Sequence, residues 1–243
     1  MGKPSVVLLH GVGLDHTVWQ PVGGLLRDRF EIIALDLPGH GANPPVPAGA
    51  TLADLADGVA GRIPGGSHLV GFSLGALIAQ HLALRRPELV ASLTLVSSVC
   101  QRTVRERDAV LSRLDVAAAD FKASTEASLV RWFDGTDVDA DFVRRTKATL
   151  LANDVESFLN CYRVFATADA QIGTELGSIA VPTVAVTGEE DPGSTPDMTH
   201  RLAAAIPGCV PIVVPGARHM LPLQSPDAVV DCILTATGGI AHV

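Results

Sequence analysis

The chain has 243 residues, 47% hydrophobic and 18% charged, with a formal net charge of −8. That length and balance describe an ordinary globular protein built on one substantial core, and they exclude a disordered chain. The acidic charge argues against a nucleic-acid binder, which needs a clustered basic surface, but leaves room for a small anionic substrate held by one or two arginines in a cleft.

In chain order, an apolar strand is expected at 6–10, too short for a signal-peptide core. A helical pattern follows at 19–29, a strand at 32–36 and a helix at 52–63. A strand at 68–72 leads into a helix at 74–86, which Pro87 closes. After a strand at 93–97, residues 99–176 carry only helical patterns. Then come a strand at 183–187, a helix at 198–206 closed by Pro207-Gly208, a strand at 210–214 and a helix at 228–237. The strands are near-continuous Val/Ile/Leu runs, as expected when both faces of a parallel sheet are covered. The reading is an α/β core of about six mostly parallel strands, formed by residues 1–98 and 177–243.

Residues 99–176 are expected to form a helical cap. An insertion at a strand's carboxyl end lies over the sheet edge where such folds bind ligands. The alternative is that these helices extend the core. The segment holds 10 of the 18 Lys and Arg residues, so an anion-binding contribution from it is expected. No run reaches the roughly 18 apolar residues of a membrane span. Cys100, Cys161, Cys209 and Cys232 form no C-x-x-C pair and read as buried free thiols of a cytoplasmic protein.

Gly71-Phe72-Ser73-Leu74-Gly75 follows a strand and opens a helix. A G-x-S-x-G in that context is a nucleophile elbow: small residues two positions either side let strand and helix approach closely. The helix N-terminus after Ser73 supplies N–H groups and a positive dipole end for an oxyanion. His10-Gly11-Val12-Gly13 ends the first strand, so the Val12 and Leu74 amides are the candidate oxyanion donors.

A serine hydroxyl needs a base, and the base needs an orienting partner. Of the eight histidines, His219 is the candidate base, in Pro215-Gly216-Ala217-Arg218-His219 after the last strand. His10 and His40 stand in Gly-rich turns and read as structural, while His16 is expected to border the pocket. No partner is assigned to His68, His81, His200 or His242. In Gly188-Glu189-Glu190-Asp191-Pro192, Asp191 is the candidate acid and the two glutamates are expected to be solvated. The other acid position, after the strand at 93–97, holds Ser97 and Ser98. Asp137, Asp139 and Asp141 imitate a calcium loop but lack its glycine, so no metal site is expected.

These motifs, together with Asp36-Leu37-Pro38-Gly39-His40-Gly41, make the sequence resemble the α/β-hydrolase family over essentially its whole length. Within it the chain is most similar to the 3-oxoadipate enol-lactonase group. The similarity rests on Arg131-Trp132-Phe133, on Leu150 through Asp154, and on Glu190-Asp191-Pro192 followed by Thr195-Pro196. The resemblance implies the α/β-hydrolase fold and cofactor-free cleavage of a small enol-lactone through an acyl-enzyme on Ser73. Arg131 and Trp132 would then bind a carboxylate-bearing substrate and wall the pocket. A small-substrate carboxylesterase, which shares the Trp19-Gln20-Pro21 segment, is the alternative, as is a C–C hydrolase or perhydrolase on the same triad. The family's first two strands have no counterpart in this sequence. Cys161-Tyr162-Arg163-Val164-Phe165 departs from the family pattern and is expected to reshape the pocket.

Overall fold

The computed structural model describes residues 2–238. Six strands form one parallel sheet: β1 (Ser5–Leu9), β2 (Glu31–Leu35), β3 (Ser67–Phe72), β4 (Val90–Val96), β5 (Thr183–Gly188) and β6 (Val210–Val214). Their spatial order is β2-β1-β3-β4-β5-β6. The chain winds outward from β1 to β2 and then returns to place β3 on the other side of β1. This reversal leaves a crevice beyond the carboxyl ends of β1 and β3, where ligands bind in open α/β sheets.

The period-two rule of a strand divides the core. Val7 and Leu9 of β1 join one apolar cluster, and Val6 and Leu8 join the other. On the first face pack α2 (Leu52–Ala60), α3 (Leu74–Arg85) and α9 (Pro196–Ala205), through residues such as Leu55, Leu77 and Leu202. On the second pack α1 (Gln20–Leu26) and α11 (Pro226–Ala236), through Val22, Leu26, Val229 and Ile233.

Between β4 and β5 come α4 (Val104–Ala119), α5 (Phe121–Phe133), α6 (Ala140–Leu151), α7 (Val155–Thr167) and the single turn α8 (Asp169–Ile172). Side-chain caps set their starts. Thr103 and Glu106 form a capping box on α4, while Asp120, Asp139 and Asp154 cap α5, α6 and α7. Asp139 thus serves as a cap, and Asp141 pairs with Arg144. The five helices bury apolar residues in both clusters: Val110, Val164 and Phe165 in the first, Leu129, Phe133 and Leu150 in the second. A buried ion pair, Arg102 to Asp169 at 2.8 Å, ties the approach to α4 to α8.

Several boundaries differ from the sequence expectation. The helix expected at 19–29 is a 3₁₀ turn over His16–Trp19 followed by the short α1, which contains Gly23 and Gly24. The helices expected from 198 and 228 begin at Pro196 and Pro226, since proline fits a first helical turn. A further turn of helix, α10 (Leu221–Gln224), follows His219.

No helix among the described residues is long and apolar enough to cross a membrane. The cysteines are free, with three buried and Cys209 half-buried. Burial pushes the thiols of Cys100, Cys161 and Cys232 up to about 12.

Candidate active site

Ser73 joins β3 to α3 at φ 55°, ψ −111°, a left-handed backbone rare for a residue with a side chain. Two backbone bonds hold the turn: the Ser73 N–H donates to the Val96 carbonyl at 2.9 Å, and the Gly75 N–H to that of His10 at 3.1 Å. The elbow glycines are required by space. A Cβ on Gly71 would lie 2.3 Å from the Gly75 carbonyl oxygen, and one on Gly75 would lie 2.2 Å from that of Leu9.

The second strand end is fastened by two neutral histidines. His10 is fully buried; its Nε2 accepts the Leu37 N–H at 3.0 Å, which leaves Nδ1 to donate to the Gly11 carbonyl at 2.8 Å. Desolvation, aided by neighbouring His40, lowers its pKa to about 3. His40 accepts the Gly13 N–H on Nε2 at 2.8 Å, and burial lowers its pKa as well. These bonds set the path of Gly11-Val12-Gly13 against Ser73, and a Cβ on Gly11 would lie 3.2 Å from the Ser73 Cβ. Gly13 has φ +76°, and a Cβ there would strike Phe158 and Leu150. Asn153 donates to the Gly13 carbonyl at 2.9 Å. The helices between β4 and β5 therefore grip this loop directly. His16 lies away from the pocket, contrary to expectation: its N–H and its ring both bond Asp36 Oδ1.

The Leu74 N–H is the first of α3 and has no carbonyl one helical turn back to bond. Neither it nor the Val12 N–H has an acceptor among the described residues. Both remain available as donors beside Ser73.

His219 and Asp191 meet at 2.6 Å, Nδ1 to Oδ2. The other carboxylate oxygen of Asp191 accepts the Gly193 and Ser194 N–H groups at 2.8 and 2.9 Å. Two loops must touch for this, and Gly188 allows it: a Cβ there would lie 2.2 Å from the Ala217 carbonyl oxygen. The glutamates expected to be solvated contribute as well. Glu189 accepts the Gly216 N–H at 3.0 Å, and Glu190 lies 3.5 Å from Arg218. The imidazole packs against the Phe72 and Trp132 rings, with centroids 5.1 and 5.7 Å away and Trp132 stacked at 25°. Ser97, itself at φ 45°, donates its hydroxyl to the His219 carbonyl at 3.0 Å.

One pocket is lined by Val12, Ser73, Arg131, Trp132, Asp191 and His219 together. Leu74 follows Ser73 directly, with its side chain in the core. The pocket encloses about 760 Å³ of open space, mouth included, of which about 70 Å³ admits the centre of a water molecule. That is room for only a few waters. Arg131 is half-buried and donates to Ser128 Oγ at 2.7 Å. Its pKa is lowered, first by desolvation and then by the positive charge of Arg113. Arg113, Phe121 and Phe158 are pocket residues that the sequence reading did not single out. Tyr162 and Phe165, from the stretch that departs from the family pattern, also line it. His242 lies outside the described residues. Among those described, no cluster of three metal-ligating side chains occurs.

A hydroxyl and an imidazole with a buried carboxylate behind it in one narrow pocket, with two free amides next to the hydroxyl, are the parts of acyl transfer. Residues 6–232 match the alpha/beta hydrolase family. An (E)-2-((N-methylformamido)methylene)succinate hydrolase from Acinetobacter baylyi is 32% identical, the match covering 94% of this chain and 88% of the relative. A pimeloyl-(acyl-carrier protein) methyl ester esterase from Yersinia pestis is 31% identical, covering 96% and 93%. The crystal structure of the enol-lactonase from Burkholderia xenovorans superposes with a TM-score of 0.83 at 22% identity, covering 96% and 91%, and so shares the fold. The chain belongs to the alpha/beta hydrolase family, and it is a hydrolase built on a six-stranded parallel sheet.

Proposed function

We propose that the protein is a serine hydrolase that cleaves a small carboxylic ester or lactone, with an enol-lactone as the favoured substrate. The reading rests on the 2.6 Å His219–Asp191 bond in the same pocket as the strained Ser73 turn. His219 takes the Ser73 proton as the hydroxyl oxygen attacks the carbonyl carbon. The Val12 and Leu74 amides hold the oxyanion, each donor contributing about 3 kcal/mol in comparable sites. Asp191 fixes the imidazole tautomer and stabilises the imidazolium. Collapse expels the enol or alcohol oxygen, which takes the proton from His219. Water then releases the acyl group by the same route. An enolate leaves more readily than an alkoxide, so protonation of the leaving oxygen by His219 is less demanding for an enol-lactone.

Helices α4–α8 act as the cap, with Arg131 binding a substrate carboxylate and Trp132 stacking on His219. The narrow pocket favours a small free substrate over a long acyl chain. One relative is named for hydrolysing a substituted succinate and another for a methyl ester. The second name keeps a carboxylesterase as the alternative reading. Four free thiols suit a reducing cytoplasm.

Hydrolysis of p-nitrophenyl acetate and of the muconate-derived enol-lactone tests both levels. A kcat/KM far higher for the lactone, abolished in Ser73→Ala, is expected. Ester turnover with an inert lactone would leave a carboxylesterase. Full activity in Ser73→Ala would remove the serine mechanism.

A further inference from the structure

Four of the ten cations in residues 99–176 are matched by acids within that segment. Arg102 and Arg107 face Asp169, Arg144 faces Asp141, and Lys147 faces Glu126. Arg105, Lys122, Arg145 and Arg163 are unpaired among the described residues but exposed, whereas Arg113 on α4 and Arg131 on α5 are half-buried. Both line the pocket of Ser73 and His219, and neither has an ion pair with Asp or Glu among the described residues. The pocket wall contains one carboxylate, Asp191, and both of its oxygens are occupied by His219, Gly193 and Ser194.

Two guanidinium groups facing one narrow cavity repel each other, and the aromatic wall of Phe121, Phe158 and Phe165 reduces the solvent that would screen them. The mutual effect registers in Arg131, whose charged form is disfavoured by burial and by Arg113. Arg131 is also held in place: Ser128 Oγ donates to the Ser124 carbonyl at 2.9 Å and accepts from Arg131 Nη2 at 2.7 Å. A protein with 26 acidic against 18 basic residues has ample acid to pair these arginines, yet places none beside them. The pair is completed by anionic groups that arrive from outside. Guanidinium recognises carboxylate through paired N–H donors, one carboxylate saturating one such fork.

We propose that the substrate is dianionic: a small ester or lactone bearing two carboxylates, one held by Arg131 and the second by Arg113, with its scissile carbonyl at Ser73. This rests on the serine-hydrolase reading and adds a second anion subsite to it. Arg113 thereby becomes the residue that separates doubly from singly charged substrates.

Three ethyl esters with the same leaving group provide the test: ethyl butyrate, monoethyl succinate and a monoethyl ester of propane-1,2,3-tricarboxylate. In the native enzyme kcat/KM should rise at each added carboxylate, by about tenfold for the second, as expected when a buried charged group gains its partner. Arg113→Gln should remove that second step through KM, and Arg113→Lys should restore part of it. Calorimetry with free propane-1,2,3-tricarboxylate and with butyrate, on Ser73→Ala protein, reads the subsites without turnover. Tighter binding of the polycarboxylate, weakened by Arg113→Gln, is expected. Equal kcat/KM for the mono- and dicarboxylate esters, or equal binding of the two acids, overturns the second subsite while leaving the hydrolase intact. Failure of a fluorophosphonate to label Ser73, with no ester turned over, would instead remove the reading beneath it.

Discussion

Gly75 and Gly61 show how differently one methyl group acts at two glycines of the same chain. At Gly75 an added Cβ would meet the backbone oxygen of Leu9 at 2.2 Å, and the rigid strand β1 cannot yield. At Gly61, φ is −66° and nothing lies within 4 Å. Gly75→Ala is expected to cost about 1–3 kcal/mol or more by overpacking and to displace Ser73. Gly61→Ala should stabilise by about 0.5 kcal/mol, through a less disordered unfolded chain. Urea unfolding with parallel activity measurements checks both. His10 gives a pH-dependent counterpart. Its pKa is lowered from 6.5 to about 3 in the folded state, so the unfolded chain binds the extra proton between those values. The stability it contributes is complete above pH 6.5 and is lost as pH falls toward 3, on the order of 5 kcal/mol across the window. His10→Gln should flatten the fall in stability between pH 6.5 and 4.5, where most carboxylates are still ionised. An unchanged slope would place the acid sensitivity elsewhere.

At the scale of elements, the ion pair that ties the approach to α4 to α8 is the most sensitive to a single change. Both partners have 1% side-chain exposure, and Arg107 lies 3.8 Å from the same carboxylate. Asp169→Asn leaves the Arg102 charge buried without its counterion, which typically costs about 3–5 kcal/mol. Replacing the pair together, as Arg102→Met with Asp169→Leu, should recover much of that loss in thermal unfolding. The elements also separate what the sequence made legible from what it did not. Strands such as β3 and β5 are doubly buried and read as near-continuous apolar runs, so their positions followed directly. The serine turn, the histidine loop and the aspartate loop each follow a strand and carry small residues at close approaches, so Ser73, Asp191 and His219 could be named. Arg113 could not be separated from nine other cations of residues 99–176, because facing the pocket without an acidic partner is a property of three-dimensional neighbours. Ser97 registers in the sequence only as a residue standing where a competing acid could have been, since nothing local signals its bond to the His219 carbonyl. Trp132 was read as a pocket wall; its stacking on the imidazole depends on where α5 lies relative to a loop far along the chain.

Across the whole molecule, the candidate site is assembled from parts that the chain brings together late. Ser97 reaches His219 across 122 residues, Arg218 reaches Arg131 across 87, and Asn153 reaches Gly13 across 140. Most of the sheet, by contrast, pairs strands that are near neighbours in the chain order. Contacts of long sequence separation are costly to close during folding, and loops open locally before the buried strands of a sheet do. In a denaturant titration, ester hydrolysis should therefore disappear at lower urea than the far-ultraviolet signal of the helices. Coincident midpoints would mean that cap and sheet melt as one unit.

The stack of Trp132 on His219 bears on how such a protein acquires its reactivity. The serine turn and the carboxylate are built into the sheet, but the imidazole is covered on one side by a residue from α5. A nascent or partly opened chain thus holds an incompletely restrained base. Seating of the helical layer completes the restraint on the imidazole, so under the proposed mechanism a chain that has not finished folding reacts more slowly with esters.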